Sequence, residues 1–194
     1  MVEFAYDIRE DMISGISGPV ESAHFDVEAK VLEPESGPPP KLADKQLQKM
    51  LIPLLADRFQ MKAHTEIRTL PVYELVLVKG GPKFKPSTGD PQNSSMNMNG
   101  VDNKKDLTTN GASMVDLAGA LSDEVHRTVI DKTGLKGGFD LDLKWAPDDL
   151  SDSQPGSALS IFTALQEQLG LKLQPAKGPV PTLVVDHVEM PSEN

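Results

Sequence analysis

Apolar residues return at helical spacing in three stretches of the chain and at strand spacing in several others, with glycine- and proline-rich turns between them. From Ala43 to Phe59, Leu47, Met50, Leu51, Leu54 and Leu55 recur every three or four positions, which predicts a helix. Asp44 sits early enough to favour its positive end, and Pro53 predicts a kink. Met61 to Arg68 and Val72 to Val78 read as two strands. In the second, Tyr73, Leu75 and Leu77 share one face while Val72, Val76 and Val78 share the other, as in an inner strand. Lys79-Gly80-Gly81-Pro82 ends it. Lys83 to Asp106 carries Pro86, Gly89, Pro91 and an Asn/Ser/Met run without a period, and reads as a mobile linker. A helix from Met114 to Val125 follows, then strands at Thr128 to Ile130 and Phe139 to Trp145 around a turn at Lys132-Thr133-Gly134. An acidic loop, Ala146 to Gly156, leads to a helix at Ala158 to Leu169 and to closing strands at Leu171 to Leu173 and Pro181 to Val188.

The chain also resembles itself. Leu55 to Lys62 aligns with Leu165 to Lys172 at an offset of 110 residues, and the same offset carries Pro71 onto Pro181. Upstream, Phe25 to Lys30 resembles Phe139 to Lys144 at an offset of 114. A shared register over helix, turn and strand predicts an internal duplication. The expected fold class is α+β: two related small α+β units, with helices packed on mainly antiparallel sheets. The expected division is a first unit over 1–82, a linker loop over 83–106 and a second unit over 107–194.

Composition narrows the function classes. At 194 residues each unit can bury a core without disulfides or a structural metal. The absence of cysteine removes thiolate zinc sites, iron–sulfur clusters and cysteine nucleophiles. A net charge of −10 repels nucleic-acid phosphates and anionic membranes, so no nucleic-acid partner and no membrane insertion are expected. The first residues carry no basic segment ahead of an apolar core, so the chain as it stands has no signal peptide and reads as cytoplasmic.

Several strings have a family look: Leu54-Leu55-Ala56-Asp57-Arg58-Phe59, Leu70-Pro71-Val72-Tyr73, Lys79-Gly80-Gly81-Pro82-Lys83, Asp131-Lys132-Thr133-Gly134-Leu135, Phe162 to Leu171, and Asp186 to Asn194. In this order they resemble a large, mostly uncharacterised family of exported proteins from soil Acidobacteria of the Solibacter type. That resemblance implies an exported or periplasmic protein, here shortened at its N-terminus. Its second half is distantly similar to the N-terminal signalling domains of secretins and TonB-dependent receptors. The activity the resemblance implies is calcium-assisted hydrolysis of small esters or lactones, with opening of N-acyl-homoserine lactones (quorum quenching) foremost.

No catalytic signature accompanies it. Gly-x-Ser-x-Gly, His-Glu-x-x-His, phosphate loops and dinucleotide fingerprints are all missing, and His24, His64, His126 and His187 are scattered. The densest cluster is acidic: Asp140, Asp142, Asp148, Asp149 and Asp152, on a strand end and the following loop. Such hard oxygen ligands suit Ca2+ in an irregular loop, and Asp140 and Asp142, two apart on a strand, point the same way. A solvated acidic loop is the other reading. In a lactonase this cluster would hold the metal, and a histidine near it, His187 or His126, would manage protons. Asp186 and His187, being strand neighbours, face opposite ways and need partners from elsewhere. The rival class is a non-catalytic binding or signalling module of the cell envelope that captures a peptide by strand addition.

Overall fold

The computed structural model describes residues 1–25, 27, 44–89, 94–101, 104–146 and 159–191. Its elements are α1 (Val2–Tyr6), β1 (Ile13–Ser14), α2 (Pro19–Ser22), α3 (Asp44–Arg58), β2 (Lys62–Leu77), β3 (Lys85–Pro86), β4 (Ser95–Val101), β5 (Lys104–Ala112), α4 (Met114–Glu124), β6 (Val129–Asp131), β7 (Phe139–Trp145), α5 (Ile161–Ala164) and β8 (Leu171–His187). The class is α+β, as the sequence predicts. The chain falls into two compact units, Met1–Arg68 with Pro179–Asn194, and Thr69–Gly178. This division differs from the expected one at 82 and 107, because β2 and β8 are each one long strand whose two ends serve different units.

Both long strands were expected as pairs of short ones, broken at Pro71 and between Leu173 and Pro181. Proline's fixed φ is compatible with extended backbone, and its cost in a strand is one ladder donor. In β8, Pro175, Pro179 and Pro181 occupy alternate positions, so their missing donors all fall on one side of the strand and the other side keeps its ladder. α3 runs through Pro53, which forgoes the hydrogen bond to the Lys49 carbonyl; both residues are exposed, so solvent can take that carbonyl.

In the unit Met1–Arg68 with Pro179–Asn194, β1 pairs parallel to β8 with Ile13 opposite Leu183 and Ser14 opposite Val184. The first half of β2 lies on the other side of β8, antiparallel to it, as the contacts of His64 with Asp186 and of Thr182 with the Glu66 carbonyl require. Ala5, Leu55, Phe59, Met61, Leu183 and Val185 form its buried centre. Leu55 of α3 and Phe59, just past its end, are four residues apart and are both buried.

In the unit Thr69–Gly178, the second half of β2 pairs parallel to β6, with Tyr73 opposite Val129 and Leu75 opposite Asp131. A second sheet is antiparallel throughout, in the order β3-β7-β5-β4. β7 alternates strictly, with Phe139, Leu141, Leu143 and Trp145 buried and Asp140, Asp142 and Lys144 exposed. Leu117 and Leu121 of α4, Ile161 and Ala164 of α5, and Leu165 and Leu169 of the π-helical turn after it cover the buried face. The segment expected as a linker instead carries β3, β4 and the start of β5. Its Asn, Ser and Met residues pair β4 with β5 from Ser95–Asn110 to Val101–Lys104, supplying backbone bonds where side chains give no hydrophobic period.

Gly170 ends the π-helical turn with φ 67, and a Cβ there would run into the Gly81 carbonyl oxygen. Gln60, 110 residues earlier in the chain, also has positive φ, 49, between α3 and β2. Helix, left-handed residue and long strand thus follow one another in both places.

Candidate functional site: a cleft in the first compact unit

A cleft of about 340 Å³ opens in the unit built from Met1–Arg68 and Pro179–Asn194. That volume is at the small end of the range for small-molecule sites, roughly 300–1,000 Å³. Its apolar lining comes from Ile13 of β1, Ile16, Phe25, Leu55 of α3 and Phe59 just after it. The Phe25 and Phe59 rings meet edge to face with centroids 5.1 Å apart, which fixes both against the wall. Val20 and Ala23, in and just after the short helix α2, complete the opposite side.

Glu3 of α1, Glu10, and Glu21 of α2 line the cleft among the described residues, and so does Met1, which carries the α-amino group. Among the described residues none of the three carboxylates has a hydrogen-bond or ion-pair partner. Arg9, next to Glu10 in sequence, is held by Asp11, with Nε 3.0 Å from Oδ1 and Nη2 3.1 Å from Oδ2. The Ser14 hydroxyl lines the cleft too and accepts a hydrogen bond from Arg68 Nη1 at 3.4 Å.

A polar network lies on the same unit. His64 Nδ1 is 2.8 Å from Asp186 Oδ2 and its Nε2 is 3.4 Å from Glu66 Oε1, while Arg68 Nε donates to Glu66 Oε2 at 2.9 Å. The hydrogen bond to Asp186, followed by that to Glu66, raises the His64 pKa above its ordinary value. Glu66 is held below its ordinary range, first by Arg68 and then by His64. All these side chains are substantially exposed, so the network is a surface feature.

The residues singled out in the sequence fall elsewhere. Asp140 and Asp142 do project from the same face of β7, in the other unit. Asp140 Oδ1 accepts the Gly111 amide at 2.9 Å, where β5 bulges between Thr109 and Ala112, and Asp142 Oδ2 lies 3.6 Å from Lys144 Nζ. Asp148, Asp149 and Asp152 lie outside the described residues, as does most of the acidic loop. Among the described residues no group of three or more His, Asp or Glu side chains is arranged to hold a metal ion. His187 Nε2 pairs with Glu189 Oε1 at 2.9 Å and is exposed. His126 is exposed with φ 48 in the turn after α4, in a different unit from His187. Asp186 finds its partner in His64, 122 residues away.

The cleft was missed from the sequence because its walls come from short N-terminal elements with no periodic signal. The one available sign was that Glu3, Glu10 and Glu21 are interleaved with Val2, Ile13, Ile16 and Val20.

No helix among the described residues is long and apolar enough to cross a membrane. No curated protein and no solved structure matches the chain. Residues 1–188 match the model of a family described as a protein of unknown function, DUF3738, and the chain belongs to that family.

Proposed function

We propose that the protein is a binding module for a small amphiphilic molecule, working in the cell envelope as the sequence resemblance to exported proteins implies. The cleft carries this reading: apolar side chains joined to three carboxylates, unpartnered among the described residues, suit a ligand with an apolar body and one polar end. The duplicated layout is part of the same proposal. At the 110-residue offset Leu55, Phe59 and Met61 correspond to Leu165, Leu169 and Leu171, all buried, which supports two copies of one helix-and-strand unit serving as scaffold. A thermal-shift series tests the binding reading, with octyl chains ending in a trimethylammonium, a hydroxyl or a sulfate, against wild type and Ala23→Trp, which fills the cleft. A ligand of the cleft raises the melting temperature of the wild type only. No shift with any of the three overturns the proposal.

Hydrolysis of small esters or lactones, N-acyl-homoserine lactones among them and assisted by Ca2+, is the second reading. The sequence resemblance carries this reading, and the cleft does not, since its lining belongs to Met1–Arg68 with Pro179–Asn194 and Asp140 and Asp142 belong to Thr69–Gly178. Asp140 and Asp142 with the loop aspartates would carry the ion, and His187 or His126 the proton. Proton release on lactone opening, measured with and without Ca2+ in wild type and in the Asp140→Asn/Asp142→Asn double variant, tests it. Turnover no faster than a boiled control ends this reading and leaves the binding module untouched.

A further inference from the structure

The two edges of the antiparallel sheet are built differently. One ends in β3, two residues long and made of Lys85 and Pro86; on the same strand that it borders, β7, the Gln168 side chain accepts from the Lys144 amide at 2.9 Å and donates to the Lys144 carbonyl at 2.7 Å. Shortness, lysine, proline and a cover over the backbone keep an edge from pairing with another chain. The other edge, β4, has none of these among the described residues: Ser95–Val101 holds no charge and no proline and pairs with β5 in one unbroken register. Of the described strands longer than two residues it is the only one without a charge. An apolar row also runs off this edge. Leu143 of β7 pairs with Leu107 of β5, and Leu107 with Met98 of β4. Leu143 and Leu107 are buried, whereas Met98 is 45% exposed. Met96, two residues away on the same face, packs against the core. We propose that β4 is a self-association edge, at which two copies of the chain pair their β4 strands antiparallel about a twofold axis at Met98. That register sets Met98 beside Met98 of the second copy, so the row from Leu143 and Leu107 continues across the axis instead of ending in water. On the other face it sets Asn97 opposite Asn99 of the second copy, amide to amide. Asn99 Nδ2 donates to Asp106 Oδ2 at 3.3 Å, which leaves its side-chain oxygen to accept. Charge favours a second copy at this strand above others: copies of net charge −10 repel one another, and an uncharged strand is where they approach at least cost. β4 belongs to Thr69–Gly178 and the cleft is lined by the other unit, so this proposal and the binding reading stand or fall separately.

Sedimentation velocity on the full chain, run from micromolar to millimolar concentration, measures the association. The wild type forms a dimer whose fraction rises with concentration. Met98→Lys and Met98→Glu each put like charges face to face at the axis and weaken the dimer about tenfold or more, and an equimolar mixture of the two variants restores it. A second arm uses the absence of native cysteine and does not depend on the charged variants folding. Met98→Cys is bridged into a dimer by a short bis-maleimide, whereas Val115→Cys, on α4 and 69% exposed in the native chain, is bridged far more slowly. A wild type that stays monomeric throughout overturns the proposal. If its β4 amides then resist hydrogen exchange, the chain covers its own edge; if they exchange freely, the edge is left for a strand of another protein. A dimer indifferent to the charged variants or not restored by mixing them, or bridging of Val115→Cys as fast as of Met98→Cys, also overturns it, because the contact then lies elsewhere.

Discussion

His64 Nδ1 stands 2.8 Å from Asp186 Oδ2, so that side chains 122 residues apart in sequence join the first half of β2 to the end of β8. Glu66 and Arg68 extend this contact along β2. The raised His64 pKa gives the contact a defined pH dependence. A group whose pKa is higher folded than unfolded stabilises fully below its unfolded pKa, about 6.5 for histidine, and loses that contribution as pH rises through the folded value. Glu66, held low, acts in the opposite sense: its contribution is present above the unfolded pKa and lost as pH falls through the folded one. The difference in melting temperature between wild type and His64→Gln is therefore largest between the ordinary glutamate and histidine pKa values and shrinks on either side. A difference that grows above neutral pH contradicts this assignment.

Trp145 Nε1 donates to Glu124 Oε1 at 2.9 Å, and Lys105 Nζ lies 2.8 Å from Glu124 Oε2. The Trp145 side chain is buried and Glu124 nearly so, which makes this carboxylate the polar anchor between α4, β5 and β7. Glu124→Leu leaves the indole donor unsatisfied and costs about 1–3 kcal/mol. Glu124→Gln keeps an acceptor and costs less, about 1 kcal/mol. Urea unfolding followed by fluorescence of the single tryptophan measures both. Equal losses would mean that the hydrogen bond to Trp145 contributes nothing.

α4 starts on a reciprocal cap: the Ser113 hydroxyl accepts the Asp116 amide at 3.1 Å and the Asp116 carboxylate accepts the Ser113 amide at 3.0 Å. Ser113→Ala should cost about 1 kcal/mol. Asp116→Ala should cost less in the Ser113→Ala background than in the wild type, since the first change has already broken the bonds the two side chains share. Additive losses would show the two bonds to be independent.

Gly170→Ala meets two obstacles, a φ of 67 and the Gly81 carbonyl in the path of the new methyl group, and should cost about 1–3 kcal/mol. Gln60→Gly at the corresponding point relaxes a left-handed residue but loses the Gln60 hydrogen bond to the Asp57 carbonyl, 2.7 Å long. The two effects nearly cancel, so its melting temperature should stay within a few degrees of wild type.

Much of the fold was legible where side chains carry a strict period. Phe139, Leu141, Leu143 and Trp145 set the bounds of β7, and Leu117 and Leu121 those of α4, because alternation and helical spacing directly report which side is buried. The β4–β5 hairpin was illegible for the opposite reason: Asn97, Asn99 and Thr108 contribute backbone hydrogen bonds and leave no hydrophobic pattern. Met61–Arg68 and Val72–Val78, and likewise Leu171–Leu173 and Pro181–Val188, read as separate strands, whereas extended backbone accommodates the prolines of β2 and β8 without a break. At the level of sites, Asp140 stood out as an acidic neighbour of Asp142, but its carboxylate caps the Gly111 amide at the β5 bulge. The His64–Asp186 pair and the cleft depend on residues far apart or aperiodic in sequence, and only the folded chain brings them together.

Methyl-labelled nuclear magnetic resonance on the full chain, titrated in turn with octyl chains ending in a trimethylammonium, a hydroxyl and a sulfate, tests most directly the central claim that the cleft binds a small amphiphile. The account predicts that the methyl signals of Ile13, Ile16, Val20 and Met61, which line the cleft, move together and saturate, while those of Leu107, Leu117 and Leu143 in the other unit stay in place. Saturable shifts centred on Leu107, Leu117 and Leu143, or no shift at any of these methyl groups, would contradict it.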